Sequence, residues 1–201
     1  MGKLIEVVGP SGVGKTTLVN TLSRKARFAT AYEGHAERPF QKLFKKDQRY
    51  GLANQMDYLL LRVEQEKELR VSSLIGLMDG GLDLDYHGFT RLFHARGGLS
   101  DSEFDLCRRF YELTRQLLPL PDLIIHLTAS EEIIRQRLAS RQRINIASAE
   151  DTALFNRFLD EWLATIPTER LLRLDVSAED MEFKSSIALI LEKARVFRLL
   201  P

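Results

Sequence analysis

Eight residues near the start of the chain, Gly9-Pro10-Ser11-Gly12-Val13-Gly14-Lys15-Thr16, restrict the fold more than any other segment. They follow a short β-branched run, Leu4–Val8, and precede residues 15–26, where Leu18, Leu22 and Ala26 recur on one helical face. A strand, a glycine-rich turn and a helix in that order form a cradle of backbone N–H groups able to close around phosphate oxygens. Glycines let the backbone approach an anion without side-chain obstruction, and the helix N-terminus adds unpaired donors and partial positive charge. In such a loop Lys15 reaches the β- and γ-phosphates, the Thr16 hydroxyl ligates Mg²⁺, and Thr17 follows in the first helical turn. A nucleoside triphosphate with Mg²⁺ is therefore the expected ligand, and ATP with Mg²⁺ the expected cofactors if the chain is a kinase.

The rest of the chain alternates strands with helices. Phe28–Tyr32, Ser73–Met78, Leu123–Leu127 and Leu171–Val176 read as four further strands. Helical patterns cover 48–71, 84–96, 101–117, 149–165 and 180–197, a short piece begins at Pro39, and Ser130 caps a helix running to about Arg141. This predicts an α/β fold: a five-stranded parallel sheet with helices on both faces, in one domain over residues 1–201.

Composition narrows the partners. With 29 Lys+Arg against 28 Asp+Glu the formal net charge is +1, so no overall field favours nucleic acid or an anionic membrane. No apolar run reaches the roughly 18–20 residues of a membrane span. The single cysteine, Cys107, lies among apolar neighbours and reads as core; with the absence of a leader this suggests a cytoplasmic protein. His87, His94 and His126 have no metal-ligand spacing and receive no role, while His35, two residues past Glu33, reads as a loop histidine or a substrate contact. No Asn-Lys-x-Asp segment reads a guanine base, and Asp79-Gly80-Gly81-Leu82 does not fit an Asp-x-x-Gly switch. A small-molecule kinase fits the chain best.

Beyond the phosphate loop, an ordered series of residues over about 3–146 resembles the deoxynucleoside kinase family. Glu33 ends the second predicted strand, where the resemblance implies a general base toward the sugar hydroxyl. Arg38-Pro39-Phe40 is similar to the family's Asn-Pro-Phe. Gln55 and Arg62 match its Gln-x₆-Arg helix, in which Gln reads the nucleobase and Arg supports the site. Asp79 takes the place of the acid of a Glu-Arg-Ser triplet and is the expected Mg²⁺ ligand. Asp85 matches an acid that helps to hold the base. Pro121-Asp122-Leu123 resembles the strand before the lid. Arg137, Arg141 and Arg143 reproduce the lid arginines, which places a lid at about 137–148. The resemblance implies transfer of the γ-phosphoryl group of ATP to a hydroxyl of a nucleoside-like acceptor, and a homodimer formed through helices 48–71 and 84–117.

The sequence also departs from that pattern. Gly80 replaces the arginine of the triplet, leaving Arg38 or Arg91 as the cations that could reach inward. The tyrosine that grips the sugar falls on Phe44, or on Lys45 by the other count, and the lid glutamate falls on Ile146. Two other readings therefore stay open: a nucleoside monophosphate kinase, with Arg38, Arg49 and Arg62 on the acceptor phosphate, and a nucleotide-binding regulatory protein with little transfer activity.

Overall fold

The computed structural model describes residues 1–32, 38–139 and 151–196. Five parallel strands, β1 (Leu4–Val8), β2 (Phe28–Ala31), β3 (Ile75–Asp79), β4 (Leu123–Thr128) and β5 (Leu171–Asp175), form one sheet in the order β2-β3-β1-β4-β5. β1 is the central strand, and every residue of it is buried. Period-two alternation sends Ile5 and Val7 to one face and Leu4, Glu6 and Val8 to the other.

On the first face, α1 (Lys15–Lys25) and α9 (Lys184–Val196) bury Leu18, Leu22, Ile187 and Ile190 against Ile5, Val7, Leu77 and Ile125. The second face carries α3 (Gly51–Val71), α6 (Asp101–Leu117) and α8 (Asp151–Leu163), with α2 (Pro39–Phe44) beside α3. There Leu159 and Trp162 pack with Val8 and Ile124, while Leu69 meets Leu4 and Met78. α7 (Glu131–Ala139) follows β4.

Strand register sets which residues meet at the carboxyl edge of the sheet. Val7 pairs with Asp79 and Val8 with His126, so β1 and β3 end side by side. The Gly80 N–H donates to the Val7 carbonyl (2.9 Å), which locks that alignment. At the opposite end Asp122 accepts from the Leu4 N–H (2.9 Å) and from Lys3 Nζ (2.8 Å), giving the Pro-Asp-Leu segment a role as a clamp between β1 and β4.

Three expectations about element boundaries need correction, and one of them is the last helix, expected from residue 180 but beginning at Lys184. The third strand starts at Ile75 rather than Ser73, because the Ser72 hydroxyl accepts from the Leu74 N–H and holds a turn there. The helix expected over 84–96 begins earlier, as α4 (Leu82–Leu84). It then widens into a π-turn over Asp85–Thr90 before α5 (Arg91–Ala95). Thr90 Oγ1 donates to the Asp85 carbonyl (3.0 Å) across this turn, and such bulges frequently re-aim side chains at functional sites.

Candidate active site

The loop after β1 adopts the conformations that its glycines allow. Gly9 and Gly14 have φ of +146° and +111°, and a Cβ at Gly9 would stand 2.5 Å from the Leu127 carbonyl oxygen. α1 starts at Lys15 with neither a side-chain cap nor an acidic residue in its first turn. Its first N–H groups therefore remain available to an anion. Lys15, only 7% exposed, folds back so that Nζ donates to the Gly9 (2.9 Å) and Pro10 (3.1 Å) carbonyls.

At the start of α1, Thr16 Oγ1 donates to Asp79 Oδ2 at 2.5 Å. Asp79 is fully buried, and its Oδ1 has no hydrogen-bond partner among the described residues. A buried carboxylate oxygen without a partner is costly, on the order of 1–3 kcal/mol. A hydroxyl and a carboxylate side by side, with one oxygen uncompensated, make a hard-oxygen donor set that fits Mg²⁺. No cluster of three or more His, Cys, Asp or Glu occurs among the described residues. Phosphate and water would supply further oxygen ligands to such an ion.

Arg62 lies at the ends of β2 and β3. It is 1% exposed; Nε donates to Asp85 Oδ2 (2.8 Å) and Nη1 to Gln65 Oε1 (3.1 Å). Gln65 Nε2 in turn donates to the carbonyl of Tyr32, the residue before Glu33 (2.9 Å). Nη2 faces Gly80, 3.3 Å from the position of a Cβ there. The two arginines expected to reach inward are engaged elsewhere. Arg38 is bound bidentately to Asp57, and Arg91 pairs with Glu161 (2.6 Å) over the ring of Phe158.

Gln55 is 2% exposed, and its Oε1 stands 3.5 Å from Thr90 Oγ1, whose hydrogen is given to the nearer Asp85 carbonyl. Phe44 packs against Phe93, ring centroids 5.2 Å apart, as part of an apolar cluster. Arg137 binds the phosphate loop from behind: Nη1 donates to the Val13 carbonyl (2.7 Å) and Nη2 to that of Val176 (3.3 Å). The expected base Glu33 and the lid residues Arg141, Arg143 and Ile146 lie outside the described residues.

Three features escaped the sequence reading. Gln65, given no role from the sequence, ties Arg62 to the end of β2. Phe183, at φ +48° and 2% exposed, brings its ring against Gly14; one residue of positive φ leaves no mark in a sequence. The third is an ionic cluster under the segment that carries Asp85. Arg115 joins Asp83 (2.7 Å) to Glu66 (3.0 Å), and Tyr111 donates to Asp83 (2.7 Å). Glu6, an acid within an otherwise apolar strand, lies beneath them. Burial, and then the charge of Asp83, push its carboxyl well above the usual range. The signal was available, since an acid inside a buried strand requires partners.

Known proteins resemble this chain in sequence and in fold. Residues 5–196 match the deoxynucleoside kinase family. A deoxyadenosine kinase of Dictyostelium discoideum is 28% identical over 71% of this chain, and a deoxyguanosine kinase of Bacillus subtilis is 30% identical over 69% of it. The matched segments span 58% and 67% of those two proteins. In fold the chain is similar to the deoxyadenosine kinase of M. mycoides with bound dATP: TM-score 0.78, 22% identity, covering 96% of this chain and 99% of that one. The chain belongs to the deoxynucleoside kinase family.

Proposed function

We propose that the protein transfers the γ-phosphoryl group of ATP to a sugar hydroxyl of a nucleoside, as one P-loop domain with a lid over about residues 137–148. The observation that carries this reading is the Thr16–Asp79 pair with its bare Oδ1, placed beside Lys15 at the carboxyl end of the central strands. In open parallel sheets, ligands bind at that edge.

The attacking hydroxyl forms a new bond to the γ-phosphorus, the bond from that phosphorus to the β-phosphate bridging oxygen breaks, and the hydroxyl proton passes to Glu33. Thr16 and Asp79 would hold Mg²⁺, which supplies neutralisation of the phosphate charge when bound. Gly9 to Thr17 cradle the phosphates, and Lys15 turns from the loop carbonyls onto them. Arg141 and Arg143 act on the transferring group while Arg137 secures the loop. Phosphoryl transfer depends chiefly on such positioning and charge stabilisation.

Arg62 is the cation nearest the reacting hydroxyl in this reading, in the space left beside Gly80. Gln55 and Asp85 bind the nucleobase, and Phe44 contributes apolar contact. Arg38, Arg49 and Arg62, the cations proposed for a phosphate-bearing acceptor, are each paired with an aspartate, and this favours an uncharged acceptor. We further propose a homodimer. Leu60 on α3 and Leu106, Leu113 and Leu117 on α6 are exposed, the last three along one helical stripe. Light scattering at micromolar concentration would show a mass of two chains.

The test is ADP release over a panel of nucleosides and nucleoside monophosphates. A nucleoside should stimulate release, and Glu33→Gln should abolish it while ATP binding survives. Lys15→Ala should lose ATP binding itself. Release unaffected by every acceptor would overturn the reading, and stimulation by monophosphates alone would move it to that class of kinase.

A further inference from the structure

Two buried side-chain oxygens among the described residues have no hydrogen-bond partner, Asp79 Oδ1 and Asn54 Oδ1. The metal reading accounts for the first. Nothing in the phosphoryl chemistry accounts for the second. Asn54 is 2% exposed on α3, and buried side-chain amides are paired in the great majority of proteins.

The position of Asn54 on the helix shows what could complete it. At about 100° per residue, Asn54, Gln55, Tyr58, Arg62 and Gln65 fall in one sector of α3 about 100° wide. Two members fix the direction of that sector. Gln65 bonds the Tyr32 carbonyl just past β2, and Arg62 lies against Gly80 just past β3. The sector therefore faces the carboxyl edge of the sheet. Asn54 and Gln55 stand about two turns before Arg62, on the order of 10–12 Å along the axis. A nucleoside with its sugar hydroxyl near Arg62 would carry its base to that level.

We propose that Asn54 is a specificity-determining residue of the acceptor site, its Oδ1 accepting one hydrogen of an exocyclic amine on the nucleobase. The other hydrogen goes to Gln55 Oε1, whose one hydrogen-bond neighbour among the described residues, Thr90 Oγ1, stands 3.5 Å away. Two carboxamide oxygens from consecutive residues thus share one amino group. A base with an oxo group there sets oxygen against oxygen and leaves Asn54 still unpaired, which is how polar sites reject an isostere. This inference rests on the acceptor site of the kinase reading but not on turnover.

The experiment is calorimetric binding of 2′-deoxyadenosine and 2′-deoxyinosine, which differ in amine against oxo, to the full chain and to Asn54→Leu. The wild type should bind the amino nucleoside at least about tenfold more tightly, and Asn54→Leu should bring the two affinities to within about twofold. Leucine has a similar volume, so the unliganded variant should melt no lower than the wild type. Should Asn54→Leu not fold, Asn54→Ala serves, with the same loss of preference expected. A preference unchanged in the variant, absent from the wild type, or reversed towards deoxyinosine overturns the proposal. Retained amine preference without ADP release would defeat the kinase reading and leave the Asn54 contact standing.

Discussion

Gly80 and Arg62 compete for one volume at the carboxyl end of β3: a Cβ on Gly80 would lie 3.3 Å from Arg62 Nη2 and 3.2 Å from Leu84 Cδ2. The backbone at Gly80, with φ +68°, also disfavours any larger residue. Gly80→Ala should therefore cost about 1–2 kcal/mol of stability, read as a lower urea midpoint. It should also lower kcat by displacing the guanidinium. Arg62→Lys, which keeps the charge but loses the planar fork, should lose about tenfold or more in kcat/KM. Activity indifferent to both changes would remove Arg62 from the reaction.

Glu6 and Gly81 are coupled in the same way. A Cβ at Gly81 would stand 2.6 Å from the Glu6 carboxyl carbon. Gly81→Ala alone should destabilise by about 2 kcal/mol or more through overpacking. In a Glu6→Ala background the same change should cost much less, with a coupling of roughly 1–3 kcal/mol in a denaturation double-mutant cycle. Additive losses would show that the two residues do not meet.

Arg115→Met should be severely destabilising, on the order of 3–5 kcal/mol, because it leaves Asp83 and Glu66 buried without their shared cation. Chemical denaturation measures this directly. A variant as stable as the wild type would mean that the cluster accepts water or protons in place of the arginine.

His126 and His87 make stability depend on pH. Burial holds both imidazoles down at about 4, and His126 Nδ1 accepts from Arg173 Nη1 (3.0 Å), which requires the neutral ring. The unfolded chain binds these protons near the ordinary value of about 6.5, so it holds more protons than the fold between about 4 and 6.5. Stability is fully present above that window and falls as pH drops through it, by on the order of 1–3 kcal/mol per histidine. His126→Leu should flatten the slope of unfolding free energy against pH. An unchanged slope would place the proton uptake elsewhere.

Much of the site could be read along the chain because its parts are local. The phosphate loop needs only a strand, glycines and a helix in succession, and the turn φ values follow from those residues. Gln55 and Arg62, seven apart on a helix, had to share a stripe. Asp79 at the end of an apolar run had to emerge at the sheet edge. By contrast, Arg38 and Arg91 were the expected inward cations, yet each found an acid closer at hand, Asp57 and Glu161. Which carboxylate a flexible arginine meets depends on helix packing, and spacing does not encode it.

By itself, then, the sequence determined the strand, glycine-rich loop and helix at the start of the chain, the alternation that forces a parallel sheet, and the acid that ends β3. These depend on residue types a few positions apart. Only the tertiary structure decided that β1 is central, that Asp79 meets Thr16, and that Arg62 takes the place beside Gly80. It also decided that Asn54 and Asp79 each keep one buried oxygen without a hydrogen-bond partner among the described residues. Those facts arise where residues far apart in the chain compete for one small volume from which water is excluded. There the lost hydrogen bonds and charge pairs must be made by whichever groups the packing brings within reach.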